Sequence, residues 1–168
     1  MNRFDIIFDM HYSHHLELMH ATLMGRIDKL LSILLLVLGG SAFAQFGSLF
    51  IFGAAVALVS AFQFVCQPGN ESGRSLEHAR KYLQLITIEP TLTDEELFKR
   101  FIEAQSLDNL PWGTLKNAAY KRAAIKLNLI DETPPLTFIE RCVARMAGDL
   151  PRSPIKNDRS SIHPESRP

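Results

Sequence analysis

From residue 30 to residue 70 the chain carries no Asp, Glu, Lys, Arg or His. Those 41 residues, drawn as one helix, would extend roughly 60 Å, twice the ~30 Å hydrocarbon core of a bilayer. One crossing fits that length poorly and two short crossings fit it well. Gln45, Gly47 and Ser48 supply a break near the middle. The expected membrane helices are about 30–46 and about 48–65. A hairpin buried in a soluble core keeps a polar stripe for water. Here Leu30, Leu31, Ile33, Leu34, Leu35 and Leu36 cover the whole circumference of the first arm, and Leu49, Phe50, Ile51 and Phe52 open the second alike. The block starts too late and runs too long for the apolar core of a cleaved signal peptide.

Composition hides this division. With 18 Lys+Arg against 18 Asp+Glu and a mean hydropathy of +0.03, the 168 residues average out as an ordinary soluble domain. Zero net charge argues against a strongly basic nucleic-acid binder. Two distant cysteines exclude a disulfide-rich scaffold and a four-cysteine zinc site. The basic residues instead report orientation. Arg26 and Lys29 precede the first arm, Arg74, Arg80 and Lys81 follow the second, and the turn between has none. The positive-inside rule then puts both termini in the cytoplasm and only a short turn outside. Gly53, Ala57 and Ala61 recur every fourth residue in the second arm, and Gly40 and Ala44 repeat that spacing in the first. Small residues let membrane helices approach closely. They serve either packing within the hairpin or assembly into a homo-oligomer. Gln63 either bonds across the helices or marks the inner interface.

Helical spacing continues on both sides. Residues 1–29 read as an N-terminal helix leading into the membrane, with Phe4, Ile7, Phe8, Tyr12 and Leu16 on its apolar stripe. After the hairpin (30–66), residues 67–74 read as a linker, since Pro68, Gly69, Asn70, Ser72 and Gly73 all disfavour a helix interior. The segment 75–150 reads as a cytoplasmic helical region. Ser75 caps a helix to about residue 88, and Thr93 with Glu96 forms a capping box for a helix to about 105. Pro111 suits the first turn of a helix over about 112–127. Thr137 with Glu140 caps a last helix to about 147, with Ile139, Val143 and Met146 expected inward. Residues 151–168, rich in Pro and Ser, read as a disordered tail. The expected fold is an all-α membrane protein: lead-in helix, two-helix transmembrane hairpin and cytoplasmic helices.

Chemistry is sparse. There is no GxxxxGK[ST], GxGxxG or GxSxG, so neither an enzyme nor a cofactor is expected. His11, His14 and His15 have a spacing able to hold a metal on one helix face, without the partners that would complete a site. A surface histidine cluster beside a membrane, or a pH sensor, accounts for them as well. Cys66, where the second arm meets the headgroups, is a candidate for acylation or an inert thiol. Lys116, Lys121, Arg122 and Lys126 lie on one short helix, and no acidic residue occurs over 109–130. Such a helix contacts anionic lipid, binds an anionic ligand with Tyr120 stacking on a base, or presents a solvated face.

The arrangement resembles the SLATT-type bacterial membrane proteins over about residues 4–148. The likeness is carried by the 12–29 lead-in, the uncharged 30–65 hairpin, Ser75-Leu76-Glu77-His78-Ala79-Arg80-Lys81-Tyr82-Leu83, and Leu115-Lys116-Asn117-Ala118-Ala119-Tyr120-Lys121-Arg122-Ala123. The resemblance implies a pore-forming or membrane-perturbing effector of bacterial conflict systems, paired with a cytoplasmic sensor or signalling partner, and no catalytic residues. An adaptor whose hairpin is only an anchor, with the cytoplasmic helices docking a protein, is the alternative reading. The size of the 71–168 segment argues against a phage holin.

Overall fold

The computed structural model describes residues 2–41, 49–106, 111–131 and 133–151. Among the described residues the architecture is all-helical. α1 spans Arg3–Ser41, α2 Leu49–Cys66, α3 Pro68–Ile88, α4 Asp94–Gln105, α5 Lys116–Lys126 and α6 Phe138–Met146. Single 3-10 turns at Glu89–Thr91 and Gly113–Leu115 lead into α4 and α5. Ala44 and the tail from residue 152 onward lie outside the described residues.

The lead-in helix and the first apolar arm, as far as Ser41, are one continuous helix. At 39 residues, α1 is about 58 Å long and is the axis on which the other helices pack. Two cores form along it. Toward its start, Ile6 and Met10 meet Tyr82, Leu85, Leu97 and Phe101 of α3 and α4. Further along, Leu16, Met19, Leu23 and Met24 meet Leu115, Ala118, Ala119, Leu136, Ala144 and Ala147. At the second core and just beyond it, α3 runs along α1 with its backbone close. A Cβ on Gly25 would sit 3.0 Å from Ser72 Oγ, and one on Gly69 3.2 Å from the Asp28 carboxylate. Ser72 Oγ donates to the Ala21 carbonyl at 2.7 Å, tying the two helices together.

That close approach explains the main departure from expectation. Residues 67–74 are not a linker: α3 starts at Pro68, and only Gln67, in the left-handed region at φ 42°, interrupts the path from α2. Pro68 is tolerated because it stands at the helix start, and Gly69 because Asp28 occupies the space beside it. Ser75 therefore caps nothing. It is buried mid-helix, hydrogen-bonded to His20 Nδ1 at 3.0 Å.

Both capping boxes form as expected. The Glu96 amide donates to Thr93 Oγ1, and the Glu140 amide to Thr137 Oγ1, with each glutamate reaching back to the cap amide. α5 begins later than anticipated, after the Gly113–Leu115 turn. The inner face of α6 also differs. Ile139 and Met146 point to solvent, and Ala144 and Ala147 are buried with Val143 packed beside them. Small side chains let α6 lie close to α1, where Arg26 donates to the Arg145 and Met146 carbonyls that end α6.

Candidate functional site

The apolar helices meet at a polar pin. Gln63 Nε2 of α2 donates to Asp28 Oδ1 at 3.2 Å and Ser32 Oγ at 3.3 Å, both on α1. Of the two roles open to Gln63, this is the cross-helix bond. Above the pin, Phe52, Val56 and Val59 are half-buried, as are Leu31, Leu35 and Leu38 on α1. Helical periodicity puts these on facing stripes. Gly53, Ala57 and Ala61 lie roughly 125° around α2 from that stripe and are exposed, as is Gly40 on α1. A Cβ at Gly40 or Gly53 would meet nothing within 4 Å. Gly40, Gly53, Ala57 and Ala61 therefore do not make the contact between α1 and α2.

The rest of α2 is bare apolar surface: Phe50 is 84% exposed, Phe64 78% and Leu58 73%. Among the described residues, one helical stretch, starting at Phe50, is long and apolar enough to cross a membrane, with mean hydropathy 1.9 over its most apolar window and none of that window buried.

The four basic residues of α5 do not share a face. Lys116 and Lys126 are exposed. Lys121 is buried, its Nζ donating to Asp131 Oδ2 and Thr133 Oγ1 at 2.7 Å and to the Thr133 carbonyl at 3.2 Å. Burial alone would raise the Asp131 carboxyl; the hydrogen bonds from Lys121 and Thr133 outweigh it and hold the group below its ordinary value. Arg122 is paired with Asp149, Nε to Oδ2 at 2.6 Å. Tyr120 packs edge-on against Phe8, ring centres 5.0 Å apart. Asp131 and Asp149 were invisible to a reading confined to one helix. They lie 10 and 27 residues from their partners, and a turn brings each back. The positive φ of Gly148, at 82°, is the local signal for the second.

The histidines are likewise drawn into the fold. His14 Nδ1 donates to the Ala79 carbonyl at 2.8 Å. His15 stacks edge-on against His14, and its buried Nε2 meets no hydrogen-bond partner among the described residues. Burial, helped by His14, His11, Arg122 and Lys126, pushes the His15 imidazole down to about 4. His11 is lowered too, by burial first and then by His14 and Lys126. Among the described residues, no three His, Cys, Asp or Glu side chains converge to hold a metal ion. No family model, curated protein or solved structure matches this chain.

Proposed function

We propose that residues 30–65 form a membrane-inserted hairpin with both termini in the cytoplasm of a bacterial cell, and that the protein is an effector of the SLATT type. In this reading it assembles through Gly53, Ala57 and Ala61, with Gly40 and Ala44 on the neighbouring arm, and perturbs the inner membrane when its cytoplasmic helices receive a signal from a partner. The observation that carries the reading is the continuity of α1. One helix runs without a joint from a packed core at Leu16–Met24 into the bare apolar arm. An anchor needs only a tether, whereas this connection passes any shift of the core directly to the arm. The exposed small-residue ridge supports assembly between chains over packing within one. Exposed side chains such as Phe50 and Phe64 gain ~1.5–3 kcal/mol each when taken out of water, which favours lipid around them.

The test is induced expression followed with a membrane-potential dye. Wild type should collapse the potential, and Gly53→Leu with Ala57→Leu should not. A fully retained potential, with wild-type protein present in the membrane fraction, rules out the effector. If an unrelated hairpin replaced residues 30–65 and function survived, the adaptor reading would take its place.

A further inference from the structure

A cleft of about 280 Å³ opens where the apolar arms meet the helical bundle. Its apolar walls come from Met24 and Ile27 of α1, Phe62 of α2, and Trp112 just before the Gly113–Leu115 turn. Its polar wall is His20 and Glu71, with Cys66 also lining it. Ile27 and Phe62 adjoin or belong to the charge-free block, so the cleft continues the apolar surface of the hairpin into the bundle. Its volume falls just short of the usual range for ligand sites. It suits a segment of one acyl chain, and a two-chain lipid would not fit whole.

The polar wall narrows the choice of ligand. His20 is 2% exposed, and burial holds its imidazole below the usual range against the opposing pull of Glu71. Its Nδ1 is engaged by Ser75, which leaves Nε2 as the ring nitrogen outside that bond. Glu71, in the first turn of α3, puts a carboxylate on the wall. A carboxylate there repels an anionic head and attracts a cationic one, so the site discriminates by repulsion as well as attraction.

We infer that this cleft binds one acyl chain of a membrane phospholipid whose head-group ammonium meets Glu71, so that phosphatidylethanolamine is preferred to phosphatidylglycerol. The inference rests on the membrane reading of the hairpin. Occupancy fills the space between Trp112 and the junction of α2 with α3, and so braces the hairpin against the bundle.

Trp112 is the only tryptophan in the chain and reports on the cleft directly. Full-length protein is reconstituted into vesicles of the two lipids, with the acyl chains of one or the other brominated. Brominated phosphatidylethanolamine should quench Trp112 more than brominated phosphatidylglycerol does. Cys66→Phe, which blocks the cleft from an exposed position, should lose this excess quenching, and Cys66→Ser should keep it. Glu71→Gln should make the two lipids equal. Resistance to carbonate extraction is measured on the same vesicles, and circular dichroism checks that each variant is folded. Protein that extracts into carbonate overturns the hairpin reading, and this proposal with it. Protein that stays inserted but shows equal quenching by both lipids, or the same excess in folded Cys66→Phe, overturns the cleft alone.

Discussion

Removing the Lys121 ammonium tests whether the basic helix serves the fold or a ligand. Lys121→Met keeps the unbranched apolar stem, removes the terminal ammonium and so deletes three hydrogen bonds, to Asp131, Thr133 Oγ1 and the Thr133 carbonyl. The Lys121 and Asp131 side chains are only 7% and 18% exposed. Breaking a fully buried pair costs ~3–5 kcal/mol, mainly because the surviving charge is stranded. Here Asp131 keeps two Thr133 donors and some water, which lowers the expected loss to about 2–3 kcal/mol. For a chain of this size each kcal/mol moves Tm by ~2–4 °C. Melting followed by far-UV circular dichroism in detergent should therefore fall by about 4–12 °C. Adding Asp131→Asn removes the stranded charge and should recover much of that loss, a coupling that only a direct partnership produces. Lys116→Met and Lys126→Met, both on exposed side chains, should stay within ~0.5 kcal/mol of wild type. If Lys121→Met melted like wild type yet bound anionic vesicles more weakly, Lys121 would be a ligand-facing residue and the structural assignment would be wrong.

Three further outcomes follow from geometry. Stability should fall with acidity because folded His15, with its group pushed down to about 4, stays neutral where the unfolded chain, at 6.5, takes up a proton. The loss begins as pH drops below the unfolded value and is complete near the folded one. The lowered His11 and His20 act in the same direction, and pH-dependent melts of His15→Gln should show a flatter profile. Thr93→Ala and Thr137→Ala each remove a formed capping box and should cost ~0.5–2 kcal/mol in denaturant titrations. Gly25→Leu forces a side chain into Ser72, only 3.0 Å from the Cβ position. It should destabilise by ~1–3 kcal/mol and speed hydrogen exchange in α3.

What was legible beforehand depended on how local the physics was. Thr93 with Glu96 and Thr137 with Glu140 were readable because a capping box closes within four residues. The lead-in was readable as a helix but not in its inward face: Ile6 and Met10 are buried, and Phe4 of the expected stripe is 49% exposed. The start of α3 was not. Pro68, Gly69 and Gly73 weaken an isolated helix, and only packing against Asp28 and Ala21 offsets that propensity. The inward face of α6 departs from its apolar pattern for a related reason: size, more than hydrophobicity, decides which residues fit against a close neighbour, so Ala144 and Ala147 are buried ahead of Ile139. On α5, counting charges along the chain gave a basic cluster, while the acids that neutralise half of it return from beyond the helix. The exposed Gly53, Ala57 and Ala61 match the spacing seen in the sequence, and their orientation required the structure.

The unbroken course of α1 has a consequence for how this chain tolerates change in length. In a tether, one extra residue adds reach and little else. In a helix it adds 1.5 Å and a rotation of about 100°. An insertion between Met24 and Leu31 would leave the core in place and swing the entire arm around its own axis. Leu35 and Leu38 would turn away from α2, and Ser32 away from Gln63. Insertions of three or four residues come close to restoring the angle, and those of one or two do not. Length variation in this stretch should therefore come in whole helical turns, because the segment sets the direction in which the arm faces.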